Sequence, residues 1–138
     1  MTECGVFLSM NTREGAPGPD GLVKRAIDQA PVGVTIADAR RSDTPLVYAN
    51  DRFVEMTGYD REELLGVNCR FLQGEDTDLD TVEELSAAID AEKPITVTLC
   101  NYRKDETMFH NEVTVAPIRD EAGEVTHYVG FQRDVTDS

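Results

Sequence analysis

The order of its apolar and turn-forming segments predicts an α+β domain built on one five-stranded antiparallel sheet. Three observations carry this. Two short strand patterns precede residue 51, a series of short helical pieces fills residues 51–91, and three alternating segments joined by tight turns close the chain. Strands joined by short turns pair antiparallel, and helices gathered between them cover one face of the sheet. At 138 residues the chain is long enough for one domain with room for an internal cavity.

Residues 1–21 contain Gly15-Ala16-Pro17-Gly18-Pro19-Asp20-Gly21, a composition that interrupts regular structure, and are expected to form a flexible tail or linker. The domain proper is expected over residues 22–138. A short helix over Leu22 to Gln29 leads to Pro31 and a strand over Val32 to Asp38. A turn around Ser42 to Pro45 leads into a second strand, Leu46 to Asn50. Asp51 to Thr57 is helical and stops at Gly58, and Arg61 to Leu65 is helical and stops at Gly66. Asp60 followed by Glu63 has the spacing of a capping box. Asp78 to Ala91 is the one long helix, with Leu79, Val82, Leu85 and Ile89 at three- and four-residue spacing predicting its buried face as plain core packing. Ile95 to Tyr102, Met108 to Ile118 and Thr126 to Arg133 are the closing strands, with turns over Arg103 to Thr107 and Asp120 to Gly123.

Composition narrows the function. The 27 acidic residues outnumber 13 basic ones, for a net charge of −14, so a phosphate backbone would be repelled and nucleic acid is not an expected partner. The acids are scattered rather than gathered in a tail, and lysine is scarce beside arginine, a balance resembling proteins of a saline cytoplasm. The plain alternative is an ordinary acidic protein. No apolar run is long enough for a membrane span, and Met1 to Met10 has an acid at Glu3 and only the short apolar patch Val6 to Leu8, unlike a signal peptide. A cytoplasmic location is expected. Cys4, Cys69 and Cys100 are odd in number and at no metal spacing, so neither a disulfide framework nor a metal site is expected.

Strand alternation marks a ligand site. Ile95, Val97, Leu99 and Asn101 share one face, and Phe109, Asn111, Val113 and Val115 share another, so each apolar stripe carries one amide. A buried amide without partners costs about 1–3 kcal/mol. A heterocycle edge with alternating donors and acceptors would supply them; the alternative is that the two amides bond each other or turn backbone. On the last strand Gly130 permits close approach of a flat group, and Gln132 sets a third amide beside it.

The segment Gly66-Val67-Asn68-Cys69-Arg70-Phe71-Leu72-Gln73-Gly74 is the most specific feature of the chain. Taken alone, Cys69 reads as a small buried hydrophobe. The string, however, resembles the flavin-binding motif Gly-x-Asn-Cys-Arg-Phe-Leu-Gln of the LOV (light, oxygen, voltage) branch of the PAS family, and the resemblance extends from about Leu22 to Asp137. It implies the PAS fold, with short helices and the sheet enclosing a flavin cavity. It further implies that Asn101 and Asn111 bond the pyrimidine edge of the flavin, Gln132 its central ring, Asn68 and Gln73 the ribityl chain, and Arg70 the terminal phosphate. On the same grounds Cys69 would bond the ring carbon at position 4a after blue-light excitation, the neighbouring ring nitrogen would take up a proton, and Gln132 would relay the change by rotating its amide.

One position departs from the pattern. Many LOV domains carry a second phosphate-binding arginine on the long helix, where this chain has Ser86. FMN is the expected cofactor, riboflavin second, and FAD less favoured because no long insertion follows Gly74. The implied activity is sensing without turnover, so no enzyme is expected. The alternative is a light-insensitive PAS module for ligand binding or dimerisation. Expected partners are a second copy of the chain or an effector domain beyond Asp134-Val135-Thr136-Asp137-Ser138, the chain being either part of a longer regulator or a stand-alone photoreceptor.

Overall fold

Alternation of apolar and polar residues does form the expected sheet. In the computed structural model, which describes residues 19–136, the strands are β1 (Gly33–Asp38), β2 (Leu46–Ala49), β3 (Ile95–Tyr102), β4 (Met108–Arg119) and β5 (Val125–Asp134). They lie in the order β2-β1-β5-β4-β3 with every pairing antiparallel. The last strand therefore sits at the centre, between the opening hairpin and the closing one. Register places Thr35 opposite Gly130, Gly33 opposite Gln132, and Val113 opposite Gln132 on the other side.

Among the described residues, those up to Ala30 and those from Pro31 onward form two separate units. Most of the expected tail, with Cys4 and the patch Val6 to Leu8, lies outside the described residues, as do Asp137 and Ser138. Helix α1 spans Pro19–Asp28 and so begins inside the segment expected to be irregular. Proline is well suited to a helix start, where its missing N–H is a donor the helix leaves unpaired in any case.

The connecting helices follow their caps. Helix α2 (Asp51–Thr57) starts at Asn50, whose side chain accepts from the Phe53 N–H at 3.1 Å, and ends at Gly58 in the left-handed region, φ +79°. Helix α3 (Arg61–Leu64) opens with the capping box, the Asp60 N–H donating to Glu63 Oε1 at 2.9 Å, and Gly66 follows at φ +92°. A single 3-10 turn, Cys69–Leu72, comes next, and α4 (Leu79–Asp90) begins after Asp78, whose side chain caps it. Leu46, Ala49, Phe53, Leu64 and Leu72 form the buried cluster beneath these pieces, with Cys69 packed against it.

The expected buried stripe of α4 needs correction. Leu79 is 74% exposed, and no residue of the helix is fully buried. Side chains lean toward a helix's N-terminus, so that of the first residue projects past the helix end. Val82, Leu85 and Ile89 do face inward, but onto a cavity rather than onto packed core.

Candidate functional site

The cavity measures about 320 Å³ and is bounded by the inner face of the sheet, the 3-10 turn and α4. Every site residue expected from the sequence borders it: Asn68, Cys69, Arg70, Gln73, Asn101, Asn111, Gly130 and Gln132. Ser86 borders it as well, and Cys100 is not among its lining residues. The alternation argument thus put the right face of β3, β4 and β5 inward.

Three amides make its polar wall. Asn101, Asn111 and Gln132 are each at most 4% exposed. Asn111 Nδ2 donates to Asn101 Oδ1 at 3.0 Å, and Asn101 Nδ2 donates to the Cys100 carbonyl at 3.2 Å. The two asparagines therefore do bond each other, one of the outcomes their positions allowed. That bond does not complete the network, because Asn111 Oδ1 and Gln132 Oε1 remain buried without a partner. A Cβ on Gly130 would stand 2.7 Å from Thr35 Oγ1 and 2.8 Å from Gln132 Nε2, distances no side chain tolerates. The wall is thus flat where the glycine lies and carries unmet polar groups beside it, which fits the edge and face of a planar heterocycle such as a flavin.

The motif supplies the opposite wall. Asn68 caps the 3-10 turn by accepting from the Arg70 N–H at 2.9 Å, and its Nδ2 donates to the Asp43 carbonyl at 2.8 Å. This ties the motif to the turn between β1 and β2, where Asp43 and Thr44 have φ of +68° and +44°. The Arg70 guanidinium is paired with the Asp43 carboxylate. An isolated bridge links Gln73 to Asn101, joining the end of the turn to β3. Cys69 is half-buried with its remaining surface toward the cavity, and burial pushes its thiol up to about 12 from an ordinary 9.0. It therefore holds its proton at neutral pH and is not a standing thiolate nucleophile.

The loop after the motif is pinned to β3. Thr77 Oγ1 donates to the Cys100 carbonyl at 2.5 Å and accepts from the Gly74 N–H at 2.9 Å, while the Asp76 N–H donates to Tyr102 Oη at 3.0 Å. Tyr128 Oη donates to the Ile89 carbonyl at 2.8 Å, fastening the end of α4 to β5. None of the three fastening side chains, Thr77, Tyr102 and Tyr128, was singled out from the sequence, and Thr35 was also missed. Alternation along β1 places Thr35 inward, and its register opposite Gly130 is the signal that marks it.

A family profile for the PAS domain matches residues 31–137. The chain belongs to the PAS family. Within that family it is 47% identical over 116 residues to the bacterioopsin transcriptional activator of Halobacterium salinarum, covering 84% of this chain and 17% of that protein. It is 44% identical over 115 residues to a blue-light photoreceptor of Listeria monocytogenes, covering 83% of this chain and 45% of that one. Among solved structures, the LOV domain of a blue-light activated histidine kinase from Erythrobacter litoralis superposes with a TM-score of 0.75 at 41% identity, covering 79% of this chain and all of that one. This PAS domain is of the LOV type, and it spans less than half the length of the two curated relatives. No helix among the described residues is long and apolar enough to cross a membrane.

Proposed function

We propose that the chain is a blue-light photosensory module that binds FMN and uses Cys69 as its reactive thiol. The observation that carries this reading is that the half-buried Cys69 thiol and two unpaired buried amide oxygens, Asn111 Oδ1 and Gln132 Oε1, belong to residues lining one cavity. Bound flavin supplies absorption of blue light and, once excited, an electron-poor ring carbon open to a thiol. Cys69 would contribute the sulfur that bonds that carbon, its S–H proton passing to the neighbouring ring nitrogen so that nothing leaves the pair. Asn101, Asn111 and Gln132 orient the ring through their amides, and Gly130 leaves room for it. Asn68 and Gln73 border the polar chain that follows the ring, and Arg70 meets the phosphate with a guanidinium, the group best shaped to bond it in pairs. Ser86 adds no second cation, so FMN is held with riboflavin as an accepted substitute.

Gln132 is the relay in this reading. It lies on the central strand, paired to both β1 and β4, and its amide offers a donor at one end and an acceptor at the other. A change of preference in the cavity therefore reaches two neighbouring strands. The domain senses and does not turn over substrate. Its output passes to a second copy or to an effector domain in the same polypeptide, a reading supported by the small share of its relatives that it spans.

The test is spectroscopic. The purified protein should be yellow, bleach reversibly in blue light, and release mainly FMN with some riboflavin. Cys69→Ala should keep the flavin and its fluorescence while losing reversible bleaching. A variant that still bleached and recovered as the wild type does would remove Cys69 from its role.

A further inference from the structure

We infer that Thr35 is the positioning residue for Gln132, holding one end of its amide and leaving the other end to the cavity. Thr35 and Gln132 are 3% and 4% exposed, and Gln132 Nε2 donates to Thr35 Oγ1 at 3.0 Å. Gln132 Oε1 has no partner. The two side chains come from different strands and are not opposite each other, since Thr35 pairs with Gly130 and Gln132 with Gly33. They meet diagonally across Gly130, where any Cβ would stand within 2.8 Å of both. Gly130 therefore has a second use besides admitting a flat ligand: it opens the space in which this hydrogen bond forms.

The chemistry of the hydroxyl makes the contact more than a brace. A threonine hydroxyl accepts and donates, and an amide has one end of each kind. In the orientation of the structure, the hydroxyl accepts from Nε2 and an acceptor oxygen is left free. With the amide turned by half a revolution, the hydroxyl would donate to Oε1 and a donor nitrogen would be left free. In both orientations one end stays fixed at the junction of β1 and β5, and only the character of the free end changes. Valine has the same outline but can hold neither end. The meaning of the free end rests on the flavin reading proposed above; the Thr35–Gln132 couple is a property of the folded chain and is tested separately.

Thr35→Val and Thr35→Ser are compared with wild type as purified, by the solvent-exchange rate of the Gln132 side-chain amide hydrogens in nitrogen-15 NMR. Exposed Gln29 serves as the internal reference. Exchange at Gln132 should be about tenfold or more slower than at Gln29 in wild type and Thr35→Ser, and should rise about fivefold or more in Thr35→Val, as loss of one hydrogen bond requires. The flavin absorption band should move in Thr35→Val and stay in place in Thr35→Ser. Equal exchange at Gln132 in Thr35→Val and wild type would overturn the inference. If Thr35→Val does not fold, wild-type Gln132 exchanging as fast as Gln29 overturns it alone. A protein without bound flavin would defeat the proposed function but leave the exchange comparison standing.

Discussion

Cys69 has a pH signature that separates burial from reactivity. Its thiol is raised from 9.0 to about 12 by desolvation alone. The unfolded chain ionises the thiol near 9 and the folded chain does not, so its contribution is whole below that pH and is lost as pH climbs toward 12. Across this window the loss approaches about 1.4 kcal/mol per pH unit. Urea unfolding of wild type and Cys69→Ala from pH 8 to about 10.5 should show the wild type losing stability faster above about pH 9. Parallel curves would mean that the folded thiol ionises normally. Arg70 poses a question of charge. Its guanidinium is already paired with Asp43, and Ser86 adds no second cation. Ser86→Arg should raise the FMN-to-riboflavin ratio in released cofactor, measured by mass spectrometry. An unchanged ratio would place the phosphate away from α4.

The 3-10 turn and the loop that follows it depend on one hydroxyl. Thr77 is 7% exposed and joins the Gly74 N–H to the Cys100 carbonyl on β3, an edge strand with no other strand on that side. Thr77→Val keeps the shape and removes both bonds, from the half-exposed Gly74 N–H and to the Cys100 carbonyl. It should cost about 0.5–1.5 kcal/mol in urea unfolding, the net value of hydrogen bonds lost at a half-exposed site. A change below about 0.5 kcal/mol would mean that water or a neighbour replaces the hydroxyl. Gly74 is equally constrained, since a Cβ there would run into the Tyr102 ring.

The molecule as a whole is a strongly charged anion, and its fold must tolerate self-repulsion. Local ion pairs such as Glu63 with Lys104 and Asp134 with Arg103 relieve little of a net −14. Salt screens such repulsion over about 10 Å at 0.1 M and about 3 Å at 1 M, so simple screening is nearly complete by molar salt. A protein suited to a saline cytoplasm should keep gaining stability beyond that point as salt disfavours exposed apolar surface. A midpoint of melting, followed by flavin absorbance in potassium chloride, that climbs past about 1 M supports that reading of the charge. A plateau below that concentration points to an ordinary acidic protein, and a midpoint indifferent to salt defeats both readings of the charge.

Features written in short stretches of chain were legible beforehand. Gly58 and Gly66 end their helices, Asp60 and Glu63 open one, and alternation along β3, β4 and β5 put Asn101, Asn111 and Gln132 on the inner face. These follow from backbone geometry and side-chain period, which a segment expresses without its neighbours. The motif around Cys69 was legible for another reason: its string is long enough to name its family. What the residues could not announce was how distant segments meet. Val82, Leu85 and Ile89 repeat as a packed stripe would, and only the arrangement of α4 above the sheet leaves a cavity beneath them. The Thr35–Gln132 bond spans 97 residues of chain and depends on β1 pairing with β5. Helical periodicity records which residues avoid water, but not whether they meet protein or a ligand, and strand periodicity records a face, but not the partner strand across from it.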